Sequence, residues 1–118
     1  MDLVRNILLA VEDGYQSFGG SKLETRFAFI PPIVLQHVKL LEEAGLIKIA
    51  GRNLSNDIHV SGLTWEGHDF LDTVRDPEVW KRTKDGASKM GGWTFGLLKD
   101  LGTAYLKHVA KERLGIDL

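Results

Sequence analysis

The stretch PPIVLQHVKLLEEAGLIKIAGRNLSNDIHVSGLT, residues 31–64, decides the fold of this chain. From Pro31 to Ala44 its apolar residues recur at helical spacing, and Gly45 follows where helices commonly end. Alternating apolar residues then predict two short strands, Ile47 to Ala50 and Ile58 to Leu63, on either side of a polar tip rich in turn-forming residues. The stretch therefore predicts a helix followed by a β-hairpin. The buried face of the helix is predicted to be Val34, Val38, Leu41 and Ala44.

Helices are also predicted on both sides of this stretch. Asp2 can cap a first helix that runs to about Glu12 and ends at Gly14. Thr64 can cap a further helix directly after the second strand. We expect the buried face of that further helix to consist of Trp65, Phe70, Leu71 and Val74.

Residues 15–30 contain no convincing helical pattern. Gly19 and Gly20 predict a turn, and LETRFAFI, residues 23–30, alternates loosely as a short strand does. A full winged domain would have a second helix in this stretch, which is expected to be replaced here by a turn and a short strand. Helix, short turn, strand, wing and strand, as in residues 31–64, is the order of the core of a winged helix-turn-helix domain, which most often presents a helix and a wing to nucleic acid. We therefore predict a mainly α, α+β fold, in which residues 1–76 form a winged helix-turn-helix-like domain with a small antiparallel wing sheet.

The remaining residues, 77–118, are predicted to be a C-terminal helical extension packed on that domain within a single structural domain. Asp76 and Pro77 mark a break before a short charged helix, Glu78 to Lys84. Three glycines between Asp85 and Gly92 predict a flexible joint. A long final helix then runs from a Thr94 cap to about Leu114.

The final helix is apolar on more than one face, which predicts that it buries two sides. It either lies centrally in the fold or supplies a surface for a second copy of the chain. We expect a homodimer in which the helix meets its own copy. The contact residues predicted for this interface are Leu98, Leu101, Tyr105 and Val109.

Composition sets limits on the class of protein. The chain of 118 residues contains no cysteine, which excludes a disulfide framework, a thiolate zinc site and a cysteine nucleophile. Its N-terminus lacks the pattern of a secretory signal, and its apolar runs are too short to span a bilayer. We expect a cytoplasmic protein that does not enter the membrane. The net charge of −1 shows no basic excess for binding phosphates, so any basic surface must arise by folding.

Two groups of residues are candidates for binding double-stranded DNA. The outward face of the helix that precedes the hairpin should carry Pro32, Gln36, Lys39 and Glu43. Gln36 can pair with adenine edges and Lys39 can reach phosphate or guanine, whereas acidic neighbours would repel phosphates. On the hairpin, contacts with the DNA backbone are expected from Lys48, Arg52 and Asn53.

A third candidate is a basic cluster next to Trp80. Lys81 and Arg82, with Lys84 and Lys89 nearby, could follow phosphates. The alternative, which we favour, is a solvated linker helix whose Trp80 packs on the core.

Catalytic and metal-binding patterns are weak. Among the four histidines, His68 has a carboxylate at helical spacing, Asp72, but a metal site usually needs three or more ligands. We expect His68 to be a packed structural histidine. The segment Gly19-Gly20-Ser21-Lys22 has the wrong order and context for a phosphate-binding loop. We therefore expect no enzymatic activity, no cofactor and no bound metal.

Four motifs, in order, resemble one family. They are MDLVRNILL at residues 1–9, HVKLLEEAGLI at 37–47, LTWEGHDFLDTVRD at 63–76, and VWKRTK at 79–84, which precedes the long helix. The chain is similar to the small bacterial and prophage family labelled domain of unknown function 2513. The resemblance implies a winged-helix-like fold and an origin in phages, prophages and their hosts. It implies no activity and no catalytic residues. The apolar helix entry at Ile30-Pro31-Pro32 departs from the polar entry of relatives.

Two functions stay open. The first is a non-catalytic, phage- or prophage-associated DNA-binding transcriptional regulator. The alternative is a protein-interaction module, such as a phage accessory or anti-defence protein that blocks a host complex. A contiguous basic face across the helix and the hairpin would favour DNA. A mixed or acidic face with exposed apolar residues would favour a host or phage protein as partner.

Overall fold

The computed structural model describes residues 2–18, 27, 29, 31–52 and 57–115. Within these ranges the chain is mainly helical with a small antiparallel sheet, which confirms the predicted α+β class. The elements are α1 (Asp2–Glu12), β1 (Ser17–Phe18), α2 (Pro31–Glu43), β2 (Ile47–Arg52), β3 (Ile58–Leu63), α3 (Trp65–Val74), α4 (Pro77–Lys89) and α5 (Phe95–Leu114). They form two compact units, residues 1–68 and 69–118, and the boundary falls within α3.

The first unit is built on a three-stranded sheet in the order β1-β3-β2. The predicted hairpin is present, since β2 and β3 pair antiparallel with Ile47 opposite Leu63. The register shifts on both sides of Ile49, which makes β2 irregular near its middle. The strand found before α2 is β1, which pairs Phe18 with Ile58. The strand predicted over residues 23–30 lies outside the described residues, apart from Phe27 and Phe29.

Helices α1 and α2 supply the helical part of the first unit's core. Both end at turns where a glycine has a positive φ, 97° at Gly14 and 77° at Gly45, as the sequence predicted. Ala44 lies in the turn after α2 and is exposed, so its predicted burial is wrong. The described apolar side chains of this unit that are buried are Leu3, Val4, Ile7, Leu8, Ala10, Val11, Phe18, Phe27, Val34, Val38, Leu41, Leu46, Ile47, Ile58 and Val60.

The second unit is helical over its described residues. Phe70 packs edge-on against Phe95, with ring centroids 5.8 Å apart. Gly102 of α5 lies so close to α3 that a Cβ there would come within 2.6 Å of Thr73 Cγ2. The other buried apolar side chains of this unit are Leu71, Val74, Val79, Trp80, Ala87, Leu98 and Val109.

The predicted flexible joint at residues 85–92 is wrong over most of its length. Helix α4 continues to Lys89, so the predicted short helix is too short. Gly86 lies within this helix, at a point where α4 and α5 approach closely. A Cβ at Gly86 would come within 2.9 Å of Tyr105 Oη and 3.4 Å of Leu101 Cδ1. Ala87 is fully buried, which ties this turn of α4 to the core.

Candidate interaction surface

The outward face of α2 carries the residues that the sequence predicted. Pro32, Gln36, Lys39 and Glu43 are all exposed. Leu40 lies beside them and is 45% exposed, which is unusual for a large apolar side chain on a polar face. Because Glu42 is exposed as well, Lys39 is outnumbered by carboxylates on this helix. The face is therefore mixed to acidic and partly apolar.

The hairpin adds one described cation to this unit. The Lys48 side chain is exposed on β2. The backbone carbonyl of Lys48 accepts a hydrogen bond of 3.2 Å from Ser61 Oγ. Asn53 and the side chain of Arg52 lie outside the described residues. The predicted DNA contacts of the hairpin thus reduce to Lys48 in the part of the chain that the structure describes.

The start of α3 is held firmly against the turn that follows α2. The Thr64 amide donates to Leu46 O at 3.0 Å, and the Thr64 hydroxyl donates to Gly45 O. The Gly67 amide in turn donates to Thr64 Oγ1 at 3.0 Å, which confirms Thr64 as the N-cap. A Cβ at Gly67 would lie 2.0 Å from Leu46 O, so this approach of two backbones requires glycine.

Trp65 is the first residue of α3, and its predicted burial is wrong. Its side chain is 80% exposed, the largest exposure among the described large apolar residues. The reason is helical geometry. Phe70, Leu71 and Val74 follow Trp65 by five, six and nine positions, and at about 100° per residue this puts Trp65 roughly opposite Val74. A helical wheel of this segment is the sequence signal that would have shown it.

Three carboxylates lie at the same end of the first unit as Trp65. Glu42 and Glu43 are on the last turn of α2, and Glu66 is on the first turn of α3. All three are exposed. Thr64, the residue before α3, is hydrogen-bonded to Gly45 and Leu46, which follow Glu43 by two and three positions. None of the three carboxylates forms an ion pair within the described ranges. We call Trp65, Glu66, Glu42 and Glu43 the Trp65 surface.

By contrast, two carboxylates at the start of α4, in the second unit, are paired with an arginine. Asp76 caps α4 by accepting from the Glu78 and Val79 amides at 2.9 and 3.2 Å. The same carboxylate accepts from Arg113 Nη1 at 2.5 Å and Nη2 at 3.3 Å, which joins the start of α4 to the last turn of α5. The hydrogen bond from Arg113 lowers the pKa of Asp76, and the two amides lower it further against the opposing effect of desolvation. Glu78 also binds Arg113, at 2.8 Å, and its pKa is lowered mainly by that contact.

Part of the predicted basic cluster is engaged in this network of ion pairs. Arg82 pairs with Glu78 at 2.8 Å and with Glu112 at 3.6 Å. Lys81 is exposed, whereas Lys84 places its ammonium 5.9 Å from the ring centre of Trp80. Trp80 is buried, as the favoured alternative predicted. Arg82 and Lys84 therefore make contacts within the second unit, whereas Lys81 and Lys89 are exposed.

The residues predicted to form a dimer interface are engaged within the second unit. Leu98 and Val109 are buried, and Leu101 and Tyr105 are half-buried at the close approach to Gly86. The exposed large apolar residues on α5 are instead Leu106 and Leu114. The homodimer stays a prediction.

The histidines have separate surroundings. His37 Nδ1 donates to Ile33 O at 2.8 Å, His59 Nδ1 and Ser17 Oγ are 3.0 Å apart, and His108 Nε2 lies 3.0 Å from Glu112 Oε1. His68 is exposed, so its predicted packing is wrong. Among the described side chains, no three His, Asp or Glu residues are grouped so that they could hold a metal ion.

Each helix in the described ranges is too short or too polar to cross a membrane.

The fold and surface define a small α+β protein with an exposed aromatic and acidic end. The chain belongs to the family described as "Hypothetical protein (DUF2513)", whose profile matches residues 1–93. This confirms the resemblance that its motifs suggested. It is similar to an uncharacterized protein of Haemophilus influenzae (strain ATCC 51907 / DSM 11121 / KW20 / Rd). The two are 35% identical over 85 residues, which is 70% of this chain and 72% of the relative. No solved structure matches the chain.

Proposed function

We propose that this protein is a non-catalytic protein-interaction module, which uses a winged-helix-like scaffold to bind and block a host or phage protein. The observation that carries the proposal is the exposed end of the first unit. There, Leu40 and Trp65 expose apolar surface on helices whose neighbouring charges are mainly negative. Large aromatic and aliphatic side chains within a polar surround are typical of protein–protein contacts.

The charges of α2 weigh against DNA as the partner. A helix that enters the major groove brings its outward face close to phosphates, which are attracted by Lys and Arg. On α2, Lys39 is accompanied by two exposed carboxylates, Glu42 and Glu43. Each carboxylate near a phosphate adds a repulsion that a neutral side chain would not. A protein surface with basic groups would instead be attracted to this face of α2.

A DNA-binding transcriptional regulator is the second candidate. It is favoured by the position of α2 directly before the hairpin, and by the strand order β1-β3-β2, an arrangement suited to a winged helix. Gln36 and Lys39, which suit base and phosphate contacts, share the outward face of α2. In this candidate function, binding would fall with salt, and Lys39→Ala would reduce both the affinity and the salt dependence.

One experiment with two arms separates these functions. Wild-type protein, Leu40→Glu and Ala104→Glu are each used to capture partners from host lysate. Both substitutions place a carboxylate at an exposed position, on α2 and α5 respectively. We expect wild type and Ala104→Glu to retain the same protein and Leu40→Glu to lose it. Binding is then repeated with that protein purified.

The other arm measures fluorescence anisotropy of labelled genomic duplexes at low salt. We expect no binding beyond the level of an unrelated acidic protein. Sequence-selective binding that weakens in Lys39→Ala would replace our proposal with the regulator. No retained protein and no DNA binding would overturn both.

A further inference from the structure

We propose that the Trp65 surface is a docking site for a basic protein segment, and that a partner arginine stacks on the Trp65 ring. This inference rests on the proposed function and deepens it by giving the chemistry of the partner. It concerns the end of the first unit where α2 ends and α3 begins, not the rest of the α2 face.

The position of Trp65 is fixed by backbone contacts on the residues around it. Thr64 is hydrogen-bonded to Gly45 and Leu46, and Gly67 lies against Leu46 O. These contacts hold the first turn of α3 without using the Trp65 side chain, which is 80% exposed. A rigidly mounted aromatic residue loses little conformational entropy when a partner binds, which makes it an efficient anchor.

The sign of the partner's charge follows from the surrounding carboxylates. Glu42, Glu43 and Glu66 are exposed and have no ion-pair partner in the described part of the chain. An aromatic face attracts cations, and carboxylates beside it add to that attraction. Arginine suits both features because its guanidinium stacks on aromatic rings and forks onto carboxylates. Phosphate-bearing ligands would be repelled.

The test uses protein in which 5-fluorotryptophan replaces all three tryptophans, so that each position gives its own ¹⁹F resonance. Trp65→Phe and Trp93→Phe assign them. The probes are an oligo-arginine peptide, an oligo-lysine peptide and an oligo-glutamate peptide of equal length. We expect the Trp65 resonance alone to shift with oligo-arginine, to shift less with oligo-lysine, and not to move with oligo-glutamate.

Matched charge variants separate a site from diffuse attraction. Glu43→Gln/Glu66→Gln should weaken oligo-arginine binding by roughly three- to tenfold, as expected for the loss of two charge–charge attractions at exposed positions. Asp85→Asn/Asp100→Asn removes the same charge from exposed positions on α4 and α5 and should leave binding unchanged.

Equal weakening by both double variants, or an unmoved Trp65 resonance, would overturn the docking site. If capture by wild-type protein is still lost in Leu40→Glu while Trp65 does not respond, this inference fails and the proposed function stands. If no protein is captured in the first place, the proposed function itself fails.

Discussion

Two pairs of carboxylates, one pair in each unit, have opposite surroundings. In the second unit, Asp76 and Glu78 bind Arg113 and so hold the first turn of α4 to the last turn of α5. In the first unit, Glu43 and Glu66 are exposed beside Trp65 and have no ion-pair partner within the described ranges. Charges of the first kind join two helices, whereas charges of the second kind are, in our proposal, available to a partner. The comparison teaches that net charge alone does not show which acids are engaged within the fold and which are exposed.

The largest effect should come from Phe70, which is 1% exposed and packs on Phe95 in the second unit. Phe70→Ala should lower the free energy of unfolding by about 3–5 kcal/mol, since it leaves a cavity in a filled core. Urea denaturation followed by circular dichroism measures this. A loss below about 1 kcal/mol would show that the second unit's core is not organised around this side chain.

A smaller but still large effect on stability is expected at Gly67, where the backbone next to Trp65 contacts Leu46. Gly67→Ala forces a Cβ against Leu46 O and should destabilise the first unit by about 3 kcal/mol, at the upper end of overpacking costs. Gly96→Ala is the matched control, because Gly96 also lies in a helix. A Cβ at Gly96 would have no neighbour closer than 3.8 Å. The control should be neutral or slightly stabilising. Equal stability of the two variants would contradict the close backbone approach.

Asp76 should give an intermediate, pH-dependent effect. Asp76→Ala removes the N-cap of α4 and should cost about 1–2 kcal/mol, whereas Asp76→Asn keeps a capping oxygen and should cost less. Because folding lowers the pKa of Asp76, the stabilisation from its charge is complete above about pH 4 and is lost as the pH falls through the lowered pKa. Urea midpoints measured from neutral to acidic pH should therefore fall less steeply for Asp76→Asn than for wild type.

The smallest effect on stability is expected for the Trp65 surface itself. Trp65→Ala should change the free energy of unfolding by less than about 0.5 kcal/mol, as is usual for exposed positions. The same variant should lose oligo-arginine binding, measured by the fluorescence anisotropy of a labelled peptide, because it lacks the ring on which the arginine stacks. A loss of stability comparable with that of Phe70→Ala would return Trp65 to the core and remove the contrast between the two units.

Much of the fold was predictable from local signals. Period and capping residues indicated α1, α2, the hairpin and the start of α3, because Gly14, Gly45 and Thr64 act through short-range geometry. Long-range packing was not predictable in the same way. Gly86 lies in α4 against Tyr105, which is distant in sequence, so the local run of glycines wrongly predicted a flexible joint over residues 85–92.

The candidate surface was predictable only in part. The outward face of α2 followed from periodicity and is confirmed at Gln36, Lys39 and Glu43. Trp65 was wrongly predicted to be buried because it follows directly after the second strand, whereas helical geometry places it opposite Val74. The pairing of Asp76 with Arg113 joins residues far apart in the chain, and no local pattern indicates it.

Site-specific photo-crosslinking in living cells tests the central claim most directly. A photoreactive phenylalanine analogue is introduced at Trp65, which is exposed in the first unit, and at Ala104, which is exposed on α5, in separate variants. We predict a discrete protein adduct at position 65, lost when Glu43 and Glu66 are changed to Gln, and no matching adduct at position 104. Crosslinks at position 65 that contain only nucleic acid, or the same adducts at both positions, would contradict the account.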